Sequence, residues 1–398
     1  MIKINDKKLC CGCEACKWSC PKKCIEMVRD EEGFLYPLVD ADKCVNCGIC
    51  TSVCPMINNE DSLSSTNDNT FAAFSNCEKR EESSSGGIFN NLAQRVISLG
   101  GIVYGVKMRE DFKGDEYCRI DSMNYIDALL GSKYIEAEDN SVFFRVKSDL
   151  DANCTVLFSG TPCKIFGLKK YLNKEYENLI CVDLVCHGVP SSLVWRKHLD
   201  YIQNKYKSKL TNVSFRSKKN GWNNYGMKYE FNNKSYFVDK WSDYYMILFL
   251  KNLDLRPSCY SCPFKGKSDA DITLGDYWGI QSFFPNLNDD KGISAVITRS
   301  NNGNALIQEL SLMHEINLIE SDFDDFISYN TAAISSTSRP SERNGFFSDL
   351  NDIGYKKTIK KYVYNDYCGR VTMLLIDLGL WQHLKKVKSI LKRLNFKK

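Results

Sequence analysis

The sequence predicts a mixed α/β protein, in which a small cysteine-rich unit precedes a larger domain of alternating strands and helices. Two observations carry this prediction. The first 59 residues contain two cysteine runs of identical spacing. From residue 71 onward, short apolar runs alternate with stretches of helical periodicity, a pattern that favours α/β or α+β architecture.

Each cysteine run has the spacing of a [4Fe–4S] binding motif. In each run, two residues separate each of the first three cysteines from the next. Three further residues then precede a Cys-Pro pair, as in two-cluster ferredoxins. In those proteins the fourth cysteine of each run binds the other cluster. The sequence therefore predicts one cluster on Cys10, Cys13, Cys16 and Cys54, and a second on Cys44, Cys47, Cys50 and Cys20.

Zinc is the alternative ligand for these cysteines, because paired Cys-x2-Cys motifs also build four-cysteine zinc sites. The duplicated run with its proline favours the iron–sulfur interpretation. Cys11 and Cys24 lie outside the motif spacing and are interpreted as packing residues. Between the runs, Ile25 to Val39 is predicted to form a β-hairpin whose turn is Glu31-Glu32-Gly33.

Length and composition limit the classes of protein to consider. A chain of 398 residues is expected to form two or three domains. Its 43% hydrophobic and 26% charged content is ordinary for a globular protein, and a net charge of +4 is too weak to indicate a nucleic-acid partner. Nineteen cysteines without a signal-peptide pattern favour metal ligation in a reducing cytoplasm, and clusters on this scale suggest an anaerobe.

The predicted division of the chain follows shifts in composition. A segment rich in serine and asparagine is interpreted as a linker after the iron–sulfur unit. The predicted parts are the dicluster unit 1–59, the linker 60–70, the main domain 71–350 with parts 71–150 and 151–350, and a basic tail 351–398.

Within the main domain, elements are predicted in a regular alternation. The strands are 71–75, 102–106, 155–159 and 179–185. Helices are predicted over 88–99 and from Pro162 to about Leu172. A further strand begins at Asp271 and leads into a loop rich in glycine and aromatic residues, which could flank a planar ring or simply pack in the core.

A serine- and glycine-rich loop stands before the first of these helices, at 83–87. Serine is a good N-cap, glycine allows a ligand to approach the backbone, and the helix N-terminus favours a phosphate. A plain helix cap is the alternative interpretation.

Four more cysteines occupy predicted loops. Cys163 follows a strand at the start of a helix, where its thiolate is favoured, and Cys186 also ends a strand. Cys259 and Cys262 form a Cys-x2-Cys pair. Together the four could hold a third cluster. The alternatives are buried packing for the first two and half of a zinc site for the pair.

Several stretches of this sequence resemble a known family in the same order along the chain. The sequence is similar to the coenzyme F420 hydrogenase/dehydrogenase beta-subunit family, in the form fused to a two-cluster ferredoxin. The stretches that carry the resemblance are 84–89, 104–106, 159–163, 182–190, 215–222, 256–262 and 271–280.

The resemblance implies an iron–sulfur flavoprotein, with a larger α/β flavin-binding domain after the ferredoxin unit. It implies a third [4Fe–4S] cluster on Cys163, Cys186, Cys259 and Cys262. Cys181, inside a predicted strand, is interpreted as a packing residue instead. The residues that the resemblance and the loop chemistry place near FAD are Ser84, Ser85, Gly86, Gly87, Thr161, Asp276 and Tyr277.

The expected function is an oxidoreductase that passes electrons between the ferredoxin clusters and FAD, and so reduces or oxidises a small organic substrate or a deazaflavin. His187 is the candidate proton donor, with a structural histidine as the alternative. The second functional hypothesis is an electron-transfer subunit without its own substrate, which feeds a partner such as a ferredoxin or a hydrogenase or dehydrogenase subunit. No dinucleotide fingerprint or P-loop supports NAD(P).

The C-terminal segment is predicted to form a basic amphipathic helix. Residues 379–398 contain seven Lys or Arg and no Asp or Glu, and their apolar residues recur every three or four positions. Such a helix could cover the protein's own core, enter a partner's groove or lie peripherally on an anionic membrane.

Overall fold

A nine-stranded mixed sheet organises the computed structural model of the chain, which describes residues 1–58, 68–232 and 234–363. Its strand order is β14-β3-β13-β12-β8-β7-β4-β5-β6. The strands of the whole structure are β1 Ile25–Arg29, β2 Leu35–Val39, β3 Asn69–Ser75, β4 Ile102–Met108, β5 Asp115–Ile120, β6 Ala137–Glu138, β7 Val156–Gly160, β8 Leu179–Leu184, β9 Leu210–Ser217, β10 Gly226–Phe231, β11 Lys234–Asp239, β12 Ile272–Asp276, β13 Ser294–Thr298 and β14 Ile316–Ser321.

Helices connect and cover these strands. Their bounds are α1 Ala15–Trp18, α2 Ile49–Ser52, α3 Lys79–Glu82, α4 Ile88–Ser98, α5 Val142–Asp151, α6 Pro162–Leu172, α7 Ser192–Tyr206, α8 Tyr244–Leu250, α9 Ile280–Phe283, α10 Asn301–Leu312, α11 Phe323–Tyr329, α12 Arg343–Asp352 and α13 Tyr355–Tyr362. Among the described residues, no helix is both long and apolar enough to cross a membrane.

The four strands at the centre of the sheet, β12, β8, β7 and β4, run parallel to one another. Antiparallel strands extend the sheet on both sides, where β13 pairs with β12 and β5 pairs with β4. Ligands of such sheets bind beyond the carboxyl ends of the parallel strands. The loops after β7, β8 and β12 therefore meet at one edge, and these are the loops that hold the predicted site residues.

Apolar side chains cover both faces of this sheet. On one face, α4 and α10 contribute Leu92, Val96, Ile307 and Leu310 to a core that also includes strand residues. On the other, α5 and α6 pack against β4 and β7. This sheet takes strands from both sides of residue 150, so the two parts predicted for the main domain share one core.

A second, smaller sheet is formed by the chain segment between β8 and β12. The antiparallel strands β9, β10 and β11 form a three-stranded sheet that packs with α7, α8, α12 and α13 around a separate, aromatic-rich core. Phe34, from the turn of the β1–β2 hairpin, is fully buried in this core. The insertion thus anchors the N-terminal unit to the rest of the chain.

The predicted architecture is confirmed at the level of fold class, because the structure is mixed α/β with a small cysteine-rich unit ahead of a large sheet. The predicted hairpin is present as β1 and β2, paired from Ile25–Val39 to Arg29–Leu35. In the described part of the predicted tail, residues 351–352 end α12 and Tyr355–Tyr362 form α13. The amphipathic helix over 379–398 and most of the predicted linker lie outside the described residues.

Candidate functional site

The first predicted cluster set surrounds a cavity in the N-terminal unit. This cavity has a volume of about 320 Å³. All four predicted ligands of one cluster line it, together with Ile2, Met27 and Pro37. We call it the inner site; its ligands are Cys10, Cys13, Cys16 and Cys54.

The second predicted set surrounds a cavity of about 340 Å³ at the other end of the same unit. We call it the outer site; its ligands are Cys20, Cys44, Cys47 and Cys50. Cys47 is exposed, so this site reaches the protein surface. In both sites, the fourth cysteine of one run lies with the first three cysteines of the other run, as the ferredoxin pattern predicts.

A third cavity lies at the carboxyl edge of the main sheet, with a volume of about 740 Å³ including the part open to solvent. Cys163 reaches it from the start of α6, directly after β7, and Cys186 from the loop after β8. Cys259 and Cys262 come from a 3-10 turn over Pro257–Ser261 and the residue that follows it. The structure thus gathers the four cysteines of the predicted third cluster, and we call their cavity the third site.

Burial and neighbouring thiols set the acidity of these ligands. Burial raises the pKa of Cys259 to about 12 and that of Cys262 to about 11. The side-chain hydrogen bond from Cys11 lowers the pKa of Cys163 to about 6, and Thr161 adds to this effect. Because iron binds thiolates, occupation of this site by a metal centre must release protons.

Backbone N–H groups point at the cysteine sulfurs, as they do around bound iron–sulfur clusters. In the third site, the N–H of Val189 donates to Sγ of Cys259 over 3.4 Å. In the outer site, the N–H of Ile2 donates to Sγ of Cys50 over 3.2 Å. These donors stabilise negative charge on sulfur and so fit a cluster ligated by thiolates.

The choice between zinc and iron–sulfur clusters for these cysteines rests on their spacing. Each set lines a cavity, and the duplicated run with its proline is the pattern of two-cluster ferredoxins.

Two further cysteines touch these ligands. Cys11 makes side-chain contacts with both Cys13 of the inner site and Cys163 of the third site, and it lines both cavities. Cys24 is buried, with its sulfur 3.4 Å from that of Cys20. The sequence indicates only packing roles for these two cysteines, and the structure places each against a predicted cluster ligand.

The three sites follow one another through the protein. Cys16, Cys54, Cys24 and Cys50 pack in one apolar cluster that spans the outer and inner sites. Cys11 and Met56 line the inner and third cavities together. The order is therefore outer site, inner site, third site, from the exposed end of the N-terminal unit to the edge of the main sheet.

A large cleft continues from the third site along the carboxyl edge of the sheet. Its volume is about 1870 Å³, including the part open to solvent. Aromatic rings of Tyr134, Phe249 and Trp278 line it, as do the cationic side chains of Lys133 and Arg216. The cleft and the third-site cavity share the wall formed by residues 184–189 and Cys163.

Two of the residues predicted to lie near FAD line this cleft. Thr161 follows β7, and its hydroxyl lies 3.3 Å from the sulfur of Cys163. Asp276 ends β12 and accepts hydrogen bonds from Arg216 over 2.8 Å and from the indole N–H of Trp222 over 2.9 Å. Both residues lie at the carboxyl ends of parallel strands, the edge at which ligands of such sheets bind.

The other predicted flavin residues do not line it. Ser84 accepts a hydrogen bond from the Ser132 hydroxyl, and Ser85 donates one to the carbonyl of Ile293. A Cβ on Gly86 would lie 2.4 Å from the carbonyl oxygen of Ala73, so the close approach that this glycine permits is to strand β3. The neighbouring Gly87 is the N-cap of α4.

Tyr277 likewise points away from the cleft. Its side chain is fully buried in the core beside α11, and its hydroxyl bonds to that of Ser321. The loop after β12 thus reaches the cleft through Asp276, and the sequence pattern could not say which of its side chains face the edge of the sheet.

His187 lines both the third-site cavity and the cleft. Its Nε2 lies 2.7 Å from the side-chain oxygen of Asn252, and burial lowers its pKa. The hydrogen bond with Asn252 holds the ring in one orientation. It stays a candidate proton donor.

Lys133 is a cleft residue that sequence reasoning missed. It follows Gly131 and Ser132 in a loop on the cleft wall, and its ammonium donates to the carbonyl of Leu130 over 2.7 Å. Burial lowers its pKa to about 8, although nearby Asp115 opposes this shift. The only signal in the sequence is a lysine in a Gly-Ser loop, which is too common to be diagnostic.

Comparisons with known proteins identify what parts of this chain resemble. Residues 154–322 match the family described as the C terminus of the coenzyme F420 hydrogenase/dehydrogenase beta subunit. Residues 35–56, which include the second cysteine run, match a 4Fe-4S binding domain. The predicted resemblance is confirmed, and the chain is related to iron–sulfur oxidoreductases in general.

One curated relative is an uncharacterized ferredoxin of Methanocaldococcus jannaschii, 38% identical over 52 residues. The match covers 13% of this chain and 66% of that ferredoxin. A solved structure of the F420-reducing [NiFe] hydrogenase complex of Methanosarcina barkeri, derivatised with xenon, contains a similar chain. It is 13% identical with a TM-score of 0.46, covering 72% of this chain and 94% of that one.

Proposed function

We propose that this protein is an iron–sulfur flavoprotein oxidoreductase that moves electrons between three [4Fe–4S] clusters and FAD, and so reduces or oxidises a small organic substrate. The observation that carries this proposal is the wall shared by the third site and the cleft, because a cluster in the third site would lie beside a cleft that could hold a flavin and a substrate. When bound, the clusters would supply one-electron transfer, and the flavin would couple it to two-electron chemistry.

The fit of the cleft to a flavin rests on its lining. Tyr134 and Phe249 stack with their ring centroids 4.7 Å apart, and Trp278 adds a further aromatic surface. Planar rings bind against such surfaces by stacking. Arg216 and Lys133 supply positive charge for the anionic parts of a dinucleotide or for an anionic substrate.

The chain's own residues would also control protons in the cleft. Lys133 has a pKa of about 8, so both of its protonation states are accessible near neutral pH. His187 is held by Asn252 on the wall next to the third site. These are the two candidate proton donors, and a deazaflavin is one substrate class that the family description suggests.

The test is the cofactor content of anaerobically purified protein. We expect about twelve irons with matching sulfide, as three cubes require, and about one FAD. Trp278→Ala is expected to lose flavin and keep iron, because it removes an aromatic surface of the cleft. Trp241→Ala is the matched control, since Trp241 is 57% exposed and lies outside the cleft lining. Protein with full iron but no flavin, after incubation with FAD, would contradict the flavoprotein proposal.

An electron-transfer subunit without its own substrate is the second candidate. The observation that favours it is the exposure of the outer site, where Cys47 reaches the surface beside Val45, which is 57% exposed. A redox partner, such as a ferredoxin or a hydrogenase or dehydrogenase subunit, could approach there in a reducing cytoplasm. Purification from the native source with a stoichiometric partner, and no bound or converted small molecule, would favour this candidate.

A further inference from the structure

Arg256 lies between the inner and third sites. Its side chain is 1% exposed, and it precedes the third-site ligand Cys259 by three residues. Its Nε donates to the carbonyl of Cys10 over 2.8 Å, and a second guanidinium nitrogen lies 3.5 Å from the Cys10 sulfur. One side chain thus joins the loop of one predicted cluster to the loop of another.

The packing around this guanidinium is tight. A Cβ on Gly12, which has a φ of +73°, would lie 2.8 Å from an Arg256 nitrogen. A further hydrogen bond runs to the carbonyl of Leu35 over 2.7 Å, and the ring of Tyr36 lies 4.4 Å from the guanidinium carbon. The charge is therefore fixed in position and shielded from solvent.

Arg256 lies beside ligands of both sites. Its guanidinium approaches the Cys10 sulfur of the inner site. Its backbone N–H donates to the carbonyl of Val189, and its own carbonyl accepts from the N–H of the third-site ligand Cys259, each over 2.9 Å. Its own counter-ion is Glu136, which is buried and lines the cleft. The outer-site cysteines have no contact with Arg256 among the hydrogen bonds of the described residues.

We propose that Arg256 is a positioning residue that raises the reduction potentials of the clusters in the inner and third sites relative to that in the outer site. A cluster that takes up one electron gains one negative charge, and no bond forms or breaks. A buried cation beside its thiolates stabilises the reduced form more than the oxidised form, and hydrogen bonds to cluster sulfur act in the same sense. Electrons that enter at the exposed outer site are thereby drawn toward the cleft.

This inference rests on the proposed function, because it requires clusters in these sites. Iron and sulfide contents test that requirement separately from the potentials. Redox titrations followed by electron paramagnetic resonance then compare the wild type with Arg256→Gln, Arg256→Lys and Glu136→Gln. These readouts do not depend on knowing the substrate.

The expected shifts have opposite signs. Arg256→Gln removes the charge, so the inner and third potentials become more negative while the outer one stays unchanged. Glu136→Gln removes the counter-ion but keeps an acceptor of similar shape, so the same two potentials become more positive. Arg256→Lys keeps the charge, so its inner and third reduction potentials are expected to lie between those of the wild type and those of Arg256→Gln.

Arg343→Gln is the matched control. Arg343 is another buried arginine, which ties the N-terminal unit to the body through Glu32 and the carbonyl of Leu255 and contacts no cluster cysteine in the hydrogen bonds of the described residues. Its loss is expected to weaken the attachment of the N-terminal unit to the rest of the protein and to leave the reduction potentials of all three clusters unchanged. Unchanged potentials in iron-replete Arg256→Gln, or shifts of the same sign in Glu136→Gln, would overturn the inference. If Arg256→Gln fails to load iron, the sign of the shift in Glu136→Gln decides.

Discussion

The ammonium group of Lys164 donates a hydrogen bond over 3.0 Å to the backbone carbonyl of Cys13. Lys164 follows the third-site ligand Cys163 in α6. This bond therefore joins the loop of the inner site to the helix that carries a ligand of the third site. The same ammonium pairs with the buried carboxylate of Asp139 and lies 4.5 Å from the centre of the Phe143 ring. A buried ion pair therefore orients the lysine that ties together the loops of two predicted clusters.

Lys164→Met should destabilise the protein strongly, because it leaves the Asp139 carboxylate buried without its partner. We expect the free energy of unfolding to fall by about 3–5 kcal/mol, as measured by anaerobic urea denaturation. The double variant Lys164→Met with Asp139→Asn should recover part of this loss. A double variant as unstable as the sum of the two single variants would show that the pair is not coupled.

Cys163→Ser and Cys259→Ser should each lose roughly four of roughly twelve irons and keep the ferredoxin-type signals, since each removes one ligand of a separate cube. Cys154→Ser is the control, because Cys154 packs beside the core under α5 and lines none of the three cluster cavities. Iron analysis and electron paramagnetic resonance measure the outcome. Full iron content in both site variants would rule out this ligand set.

Gly86→Ala should destabilise the fold, whether or not a flavin is bound. Its Cβ would lie 2.4 Å from the Ala73 carbonyl and 2.8 Å from the Ser294 amide, so strands β3 and β13 would have to move. Overpacking of this kind costs about 1–3 kcal/mol. Gly114→Ala is the matched control, since its nearest contact would be the Arg109 side chain at 3.7 Å. Equal melting temperatures for the two variants would contradict this account.

Asp254→Asn should flatten the pH dependence of stability. Asp254 is fully buried, and burial raises its pKa to about 8 from the ordinary 3.8. The folded protein therefore holds a proton that the unfolded chain releases, so stability falls as pH rises between about 4 and 8, by up to about 1.4 kcal/mol per pH unit. The asparagine variant lacks this titration.

The measurement is anaerobic denaturation at several pH values from about 5 to 8, the window in which the two states differ in protonation. Asp254→Asn should gain stability over the wild type as the pH rises, with the largest gain at the alkaline end. A constant difference between the two proteins across this range would show that the carboxyl does not titrate as burial predicts.

The cysteine spacing predicted much of the candidate site, because cluster ligation fixes both residue type and separation. The exchange of Cys20 and Cys54 between the two runs follows from that geometry, and the structure places each with the other run's first three cysteines. Strand ends were equally informative: Cys163 and Cys186 follow neighbouring parallel strands, so the fold must bring them together.

The sequence could not predict which way side chains point or which charged groups meet from distant parts of the chain. A glycine that admits a ligand and a glycine that admits a strand look alike in a sequence, so the loop pattern alone could not show that Gly86 lies against strand β3. Arg256 and Lys133 carry no local pattern, since their importance depends on segments far away in the chain, such as the loop of Cys10 and the strand of Asp115. Only the folded structure shows these neighbours.

The exchange of Cys20 and Cys54 also constrains how this protein can be assembled and engineered. In the predicted ligand sets, neither cysteine run completes a cube alone, so both cubes would have to be loaded on an N-terminal unit whose halves have already met. A truncation or graft that separates residues 1–24 from 39–58 would then lose both cubes at once. Any chimaera that borrows this N-terminal unit should therefore transplant it whole.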